Sequence, residues 1–189
     1  MPIAHEPNNK MQKKIERRKI LNSYMLLGYK TVPRTHPDSY VLDVINSIFA
    51  RGQTGRIVEE IRTKRGLAYE CNVLHDALSN YGTFAAYLST NKKNIPLAKK
   101  IVLDEFRKIT TITQTEIDDA KGFMIGKKIL EQEDTHHVSD TLIFWEIIKD
   151  SSLAESYLTK IKKVTKNDII RVAKKYLTKE YTQVLIEQK

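Results

Sequence analysis

Two neighbouring stretches near the middle of the chain have the pattern of β-strands and leave room only for a turn between them. In the first stretch, apolar side chains alternate with more polar ones at Leu67, Tyr69, Cys71 and Val73. That period is typical of a strand with one buried face, and residues 81–89 are rich in strand-forming residues. Asn80 and Gly82, residue types that are common in turns, lie between the two stretches. The sequence therefore predicts an antiparallel hairpin, and the other elements must pack around it.

Helix-type patterns flank the hairpin on both sides. The first helix is predicted to begin at Asp38 or Ser39. Further helices are predicted over residues 56–64, 98–109, 115–131, 138–148, 153–162 and 165–176. Further strands are predicted over residues 19–31 and 181–186. Because residues 138–148 are apolar on more than one side, we expect that helix to be well buried. This order of elements predicts an α+β fold in two layers, with helices on one face of a mainly antiparallel sheet.

Local signals mark several helix ends. Thr54 can cap the helix over residues 56–64, and Gly66 suits the left-handed backbone position that ends it. Capping boxes are predicted at two other helix starts, Thr115 with Asp118 and Thr165 with Asp168.

The length and composition fit one domain. The chain has 189 residues, of which 41% are hydrophobic, and this is enough to form a core. It contains no apolar run of membrane-spanning length, and its N-terminus lacks the apolar stretch of a signal peptide. We therefore expect a soluble, cytoplasmic protein that does not engage a membrane. Residues 1–14 read as a linker or flexible N-terminal segment, and residues 15–189 as a single domain.

The formal net charge of +9 is concentrated in two regions, residues 1–19 and residues 158–179. The second region carries eight Lys or Arg side chains against one acidic residue, Asp168. Such a patch could contact phosphates or an acidic polypeptide, but a solvated helix face is the more common role of a charge run. No nucleic-acid-binding motif accompanies either region, so nucleic acid is an improbable partner.

The ordinary catalytic motifs are missing from the sequence. Its histidines are His5, His36, His75, His136 and His137. Neither H-E-x-x-H nor H-x-x-E-H occurs, and adjacent His136 and His137 would diverge by about 100° on a helix. The one cysteine, Cys71, falls on an apolar strand position and reads as a core residue. No nucleophile elbow or phosphate-binding loop is present either, so the chain looks catalytically incomplete on its own.

One pair of residues could still serve a reaction centre. Arg62 falls near the end of a predicted helix, and Tyr69 near the start of the next strand. A guanidinium and a phenol at one helix-to-strand corner could both donate hydrogen bonds to a carbonyl or a developing oxyanion. The alternative from spacing alone is structural, with a half-buried packing tyrosine and an arginine that stabilises the helix end.

Residues 52–69 read GQTGRIVEEIRTKRGLAY and closely resemble a motif of the insulinase/pitrilysin family of zinc metallopeptidases, which includes the mitochondrial processing peptidases. The motif is that of the second domain in each half of these proteins. Further segments match in order: GYKTVP, Pro37-Asp38, YGTFAAYLST with Asn91, Thr115-Glu116-Ile117 and VTKNDI. The resemblance covers about residues 15–187. One minor departure is Gly55, which stands where a small hydroxyl residue is common.

The resemblance implies a division of roles between domains. In that family two halves close around a peptide, and the zinc site, H-x-x-E-H with a distal Glu, belongs to the first domain of an active half. The partner half supplies an Arg and a Tyr that hold the substrate backbone, and these correspond to Arg62 and Tyr69. The implied arrangement therefore has no cofactor in this chain, Zn²⁺ in a partner domain or chain, peptide substrates, and homo- or hetero-oligomeric assembly.

Two functions are compatible with this resemblance. In the first, the chain is the non-zinc domain of a peptidase, as a piece of a longer protein or as a split subunit, and contributes Arg62, Tyr69 and part of the chamber wall. In the second, the chain is a non-catalytic structural or protein-binding subunit derived from the same family.

Overall fold

A computed structural model describes residues 10–189, which form one sheet covered by helices. The strands are β1 (Gln12–Arg18), β2 (Ser23–Thr31), β3 (Glu70–Ala77), β4 (Gly82–Thr90) and β5 (Thr182–Gln188). The helices are α1 (Pro37–Ala50), α2 (Arg56–Val58), α3 (Ile95–Lys108), α4 (Gln114–Glu131), α5 (Thr135–Ile148), α6 (Leu153–Lys163) and α7 (Lys166–Tyr176). Helix α2 continues into a π-helical turn, Glu59–Thr63.

The strand order in the sheet confirms the predicted fold class. Across residues 10–189 the order is β1-β5-β2-β4-β3. Strands β1 and β5 run parallel, whereas the β5–β2, β2–β4 and β4–β3 pairs are antiparallel. The predicted hairpin is the β3–β4 pair. The sheet is therefore mainly antiparallel and belongs to an α+β domain.

One face of the sheet supplies the core. On β2, Met25, Leu27 and Tyr29 are buried, while Tyr24 and Leu26 on the opposite face remain exposed. The aromatic rings of Phe49, Phe84 and Phe106 meet between helix and sheet, with centroid separations from 4.9 to 6.4 Å. The alternation along β2 thus places the helices on one face only.

The buried carboxylate of Asp38, at the start of α1, holds α7 in place. Arg171 Nη1 donates to it at 2.8 Å, Lys175 Nζ at 3.0 Å and the Tyr176 hydroxyl at 2.9 Å. Burial raises the pKa of Asp38, but these three hydrogen bonds outweigh burial and lower the pKa to about 2. The carboxylate is therefore ionised under all ordinary conditions.

A second carboxylate of α1, Asp43, joins three further segments in the interior. Arg34 donates to its two oxygens at 2.5 and 3.2 Å. The Nδ1 atom of His75 on β3 lies 2.7 Å away, and the Tyr157 hydroxyl of α6 donates at 3.0 Å. Burial raises the pKa of Asp43, but the hydrogen bonds and the charge of Arg34 together lower it below its usual range.

The N-terminal strand prediction was wrong in its extent. Residues 19–31 were expected to form one strand, whereas β2 begins at Ser23 and a separate strand, β1, precedes the turn. All seven side chains of β1 are exposed, so the stretch has no buried-face pattern to detect. Residues 12–14, which the sequence assigned to a linker, pair in β1. The division of the chain at residue 14 stays a prediction, and residues 1–9 lie outside the described part.

Two of the local helix predictions need correction, and one is confirmed. Helix α4 has its capping box two residues earlier than predicted, between Thr113 and Glu116. The N-cap of α2 is Gly55 and not Thr54, and no side chain caps that helix end. The predicted box of Thr165 with Asp168 is present at α7.

The predicted burial of residues 138–148 was wrong. In α5 only Trp145 and Ile148 are buried. The remaining large apolar side chains are at least partly exposed, at Val138, Leu142, Ile143, Phe144 and Ile147. An apolar pattern on a helix is the same whether or not other residues of the described chain cover it. The pattern therefore could not show that these residues face outward.

Replacing Asp38 by Asn should lower the free energy of unfolding at pH 7 by about 2 kcal/mol, because Arg171 and Lys175 lose their counter-charge. The folded pKa of Asp38 lies below its unfolded value near 4. Its stabilisation is therefore fully present above about pH 4 and is lost as the pH falls towards 2. Urea unfolding at several pH values should show the two proteins converging over that range. Asp76→Asn, at an exposed β3 position, is the matched control and should change stability by less than about 0.5 kcal/mol.

Candidate functional site

A sharp corner connects the π-helical turn to β3, and Gly66 makes it possible. Gly66 has φ of +57°, as the sequence predicted for the residue that ends this helix. Its amide donates to the Arg62 carbonyl at 3.1 Å, and the Leu67 amide donates to the Ile61 carbonyl at 2.9 Å. The chain therefore reverses direction within a few residues and brings position 69 back towards position 62.

The corner is anchored on both sides of the turn. The side chains of Ile61 and Ala68 are buried in the core. The Leu67 carbonyl accepts hydrogen bonds from the Thr90 hydroxyl and, at 3.2 Å, from Asn94 Nδ2. Because Thr90 is the last residue of β4, these bonds fix the corner to the end of that strand and to the turn that follows it.

Arg62 and Tyr69 are in direct contact across this corner. The guanidinium carbon of Arg62 lies 4.3 Å from the centroid of the Tyr69 ring, which is a cation–π arrangement. Arg62 Nη1 also donates to Gln53 Oε1 at 2.8 Å. Tyr69 is 83% exposed, so the half-buried packing alternative does not hold for it. The stacked cation orients the ring, while the phenol hydroxyl faces solvent and can donate to an acceptor.

Sequence reasoning missed the residues that support this pair. Gln53 holds the guanidinium, and Thr90 with Asn94 holds the backbone between the two functional positions. Gln53 lies inside the motif of residues 52–69, so its position in the motif could have indicated that it lies near Arg62. The Asn94 side chain reaches Leu67 across 27 residues, and no local pattern announces such a contact.

Cys71 lies close to the corner but does not have the properties of a nucleophile. It is half-buried and packs against the core, as predicted. Burial raises the pKa of its thiol, against a smaller opposing effect from the Arg62 charge. A raised pKa keeps the sulfur protonated and unreactive at neutral pH.

The histidines of the described region do not converge on a common ligand position, and the adjacent His136 and His137 have ring centroids 6.2 Å apart. His75 is buried against Asp43, and His36 accepts from the Asp38 amide as the N-cap of α1. His136 and His137 lie near different carboxylates, as their predicted divergence requires. Among residues 10–189 no group of three or more His, Cys, Asp or Glu side chains could hold a metal ion. His5 lies outside this range.

The basic region of residues 158–179 has a partly structural role. Arg171 and Lys175 bind Asp38. The Lys160 Nζ atom lies over the Tyr40 ring, 4.7 Å from its centroid, and donates to the Tyr40 hydroxyl at 3.0 Å. The other basic side chains lie on exposed positions of α6, α7 and the following turn, at Lys162, Lys163, Lys166, Lys174 and Lys179. This arrangement fits a solvated helix face more closely than a dedicated binding groove.

These features define a class of protein: a two-layer α+β domain that presents a stacked Arg–Tyr pair and, within residues 10–189, lacks a group suited to a metal ion. The chain belongs to the Peptidase M16 inactive domain family, whose pattern matches residues 2–123. This is the zinc metallopeptidase family that the sequence resembles, so the recognition is confirmed. No helix of the described region is long and apolar enough to cross a membrane.

The relatives agree with this assignment. An uncharacterized zinc protease of Streptomyces coelicolor is 27% identical over 163 residues, covering 85% of this chain and 36% of that protein. A non-peptidase homolog of Helicobacter pylori is 29% identical over 135 residues, covering 67% of this chain and 30% of that protein. The crystal structure of a Helicobacter pylori protease superposes with a TM-score of 0.89 at 22% identity, over 99% of this chain and 46% of that one. The chain thus spans less than half the length of each of these proteins.

Replacing Gly66 by Ala should destabilise the domain by about 1 kcal/mol, because a side chain strains the left-handed backbone. Gly122→Ala in α4 is a matched control: there an added methyl group meets no atom within 4 Å, and the helix should gain about 0.5–1 kcal/mol. Denaturant unfolding of both variants measures whether each substitution raises or lowers the free energy of unfolding. Equal effects from both substitutions would contradict the role of Gly66 at the corner.

Proposed function

We propose that this chain is the non-zinc domain of an M16 zinc metallopeptidase and that it contributes Arg62 and Tyr69 to peptide hydrolysis at a zinc site in another domain or chain. Membership of the family supports the general role. The observation that supports the specific role is the stacking of the Arg62 guanidinium on the exposed Tyr69 ring at an anchored corner. The domain also provides part of the wall of the chamber that encloses the peptide.

The chemistry of the pair suits a peptide backbone. Arg62 has N–H groups beyond the one bonded to Gln53, and these can donate to a substrate carbonyl. The Tyr69 hydroxyl can donate to the scissile carbonyl oxygen, where negative charge develops during hydrolysis. Because the guanidinium already orients the ring, the donor does not need to reorganise as the charge forms.

Among residues 10–189, no group of three or more His, Cys, Asp or Glu side chains could hold a zinc ion. We therefore assign zinc to the partner domain, where a metal of this kind activates water and polarises the carbonyl. The partner is an H-x-x-E-H-bearing domain or chain, in a homo- or hetero-oligomer, and the substrates are peptides.

A second function has one specific observation in its favour. The Helicobacter pylori relative is named a non-peptidase homolog and matches over two thirds of this chain. In this alternative the chain is a structural or protein-binding subunit, and the Arg62–Tyr69 pair has no catalytic work. Stable assembly with other chains is then expected without peptidase activity.

Reconstitution separates the two functions. The purified 189-residue chain should cleave no peptide by itself and bind no stoichiometric zinc, as measured by metal analysis after dialysis. Mixed with a purified H-x-x-E-H-bearing family member from the same genome, it should yield a peptidase that a zinc chelator inhibits. Complex formation without zinc-dependent cleavage would favour the structural alternative.

In the reconstituted enzyme, Tyr69→Phe should lower turnover by about one to three orders of magnitude, because an oxyanion donor is lost while the stacked ring is kept. Tyr81→Phe, at another exposed tyrosine, is the matched control and should have normal turnover. Steady-state cleavage of a fluorogenic peptide measures both variants. Unchanged turnover in Tyr69→Phe would remove the role assigned to that hydroxyl.

A further inference from the structure

The outer face of the sheet carries an acidic residue directly beside the candidate site. Glu70 follows Tyr69 in the chain and is the first residue of β3. Its side chain is exposed on the face opposite the core, because Val73 is buried and successive side chains of a strand alternate between faces. On this outer face Glu70 is bordered by Asn72 along the strand and by Ser89 across to β4. These two positions are uncharged and offer the carboxylate no opposite charge.

Glu70 has no ionic partner, unlike another carboxylate close to the corner. Glu60, in the π-helical turn, binds Lys64 Nζ at 2.8 Å and also pairs with Arg65. Glu70 makes no such ion pair with any Lys, Arg or His of residues 10–189. Its carboxylate is therefore available to a cation that comes from another molecule.

Two stacked tyrosines lie next to Glu70 on the same face. Ser89 of β4 pairs with Tyr24 of β2 on one side and with Glu70 on the other. Tyr87 lies two residues before Ser89, and its ring centroid is 6.5 Å from that of Tyr24, with 24° between the ring planes. Burial raises the pKa of Tyr87, and the charge of the neighbouring Glu70 carboxylate raises it further. Tyr24 is 36% exposed, so the ring pair can be reached from solvent.

A carboxylate beside two aromatic rings suits the side chain of Lys or Arg. Aromatic rings attract a cation through their electron-rich faces, and the carboxylate can pair with it directly. The apolar stem of a basic side chain can also lie against the rings while its charged end reaches the carboxylate. An apolar side chain would contact only the rings, and an acidic one would be repelled by Glu70.

We propose that Glu70, Tyr24 and Tyr87 form a subsite that selects peptides with a Lys or Arg side chain close to the scissile bond. This inference rests on the proposed function, because it takes the scissile carbonyl to lie at the Tyr69 hydroxyl. An extended peptide advances by about 3.3 Å per residue, so a basic side chain within about two residues of that carbonyl can reach Glu70. Glu70 is then a specificity-determining residue and takes no part in bond cleavage.

A peptide series tests this selection in the reconstituted enzyme. The fluorogenic peptides differ only by Lys or the uncharged norleucine at one position, which is scanned over the residues on both sides of the scissile bond. At one position at least, kcat/KM should favour Lys by about fivefold or more. Glu70→Lys should lower this preference at least about tenfold, because an attraction becomes a repulsion.

Two further variants make the kinetic test specific. Tyr87→Leu keeps an apolar side chain but removes the aromatic face, and it should lower the preference for Lys by about two- to fivefold. Asp76→Lys is the matched control, since it makes the same charge change on the same face at the other end of β3. It should leave the preference unaltered. Circular dichroism checks that all variants are folded.

Binding to the 189-residue chain alone gives a measurement that does not depend on hydrolysis. In the ¹⁵N-labelled chain, the Lys peptide should shift the amide NMR signals of Tyr24, Glu70 and Tyr87 in a saturable way. The norleucine peptide should shift them much less. Glu70→Gln should remove the difference between the two peptides, because the charge is lost while the shape of the side chain is kept.

The two measurements separate the failure of the subsite from the failure of the proposed function. Signal shifts specific to the Lys peptide, without zinc-dependent cleavage, would support the subsite and remove the peptidase role. Zinc-dependent cleavage without a preference for Lys, or with a preference that Glu70→Lys leaves unchanged, would overturn the subsite and keep the peptidase role. Neither cleavage nor specific shifts would overturn both.

Discussion

The carboxylate of Asp43 joins parts of the chain that are far apart in sequence. Arg34 before α1, His75 on β3 and Tyr157 on α6 all bind it. The side chains of Arg34, Asp43 and His75 are largely buried. Removing the carboxylate would leave Arg34 as a buried charge without a partner, and such an arrangement is strongly destabilising. Because β3 starts one residue after Tyr69, the bond between Asp43 and His75 also fixes the strand that carries the candidate site. The Asp43 carboxylate therefore holds together part of the core and the strand that follows the candidate site.

The sequence predicted features that are local and missed those that depend on distant contacts. The β3–β4 hairpin, the left-handed Gly66 and the capping box of Thr165 were predictable because neighbouring residues specify them. The Asp43 cluster could not be predicted, since Tyr157 reaches it across 114 residues. Strand β1 has only exposed side chains and exists because β5 pairs with it. The prediction that α5 is buried was wrong for another reason. An apolar pattern shows which side chains avoid water and does not show whether this part of the chain covers them.

Two exposed features of the domain follow from this architecture. The corner presents Arg62 and Tyr69 in a fixed relation, which fits the needs of charge stabilisation at a reacting carbonyl. The outer side of α5 exposes large apolar side chains, among them Ile143 and Ile147. Among residues 10–189, no group of three or more His, Cys, Asp or Glu side chains could hold a metal ion. Under the proposed function, another domain or chain supplies the zinc.

We propose that Tyr69 stabilises the transition state of peptide hydrolysis and contributes little to ground-state binding. The most direct measurement compares a phosphinic peptide, which resembles the tetrahedral intermediate, with the matching substrate in the reconstituted enzyme. Across a series of Tyr69 variants, the affinity for the inhibitor should fall in the same proportion as kcat/KM, while KM stays nearly constant. An inhibitor that binds equally well to every variant would contradict the claim.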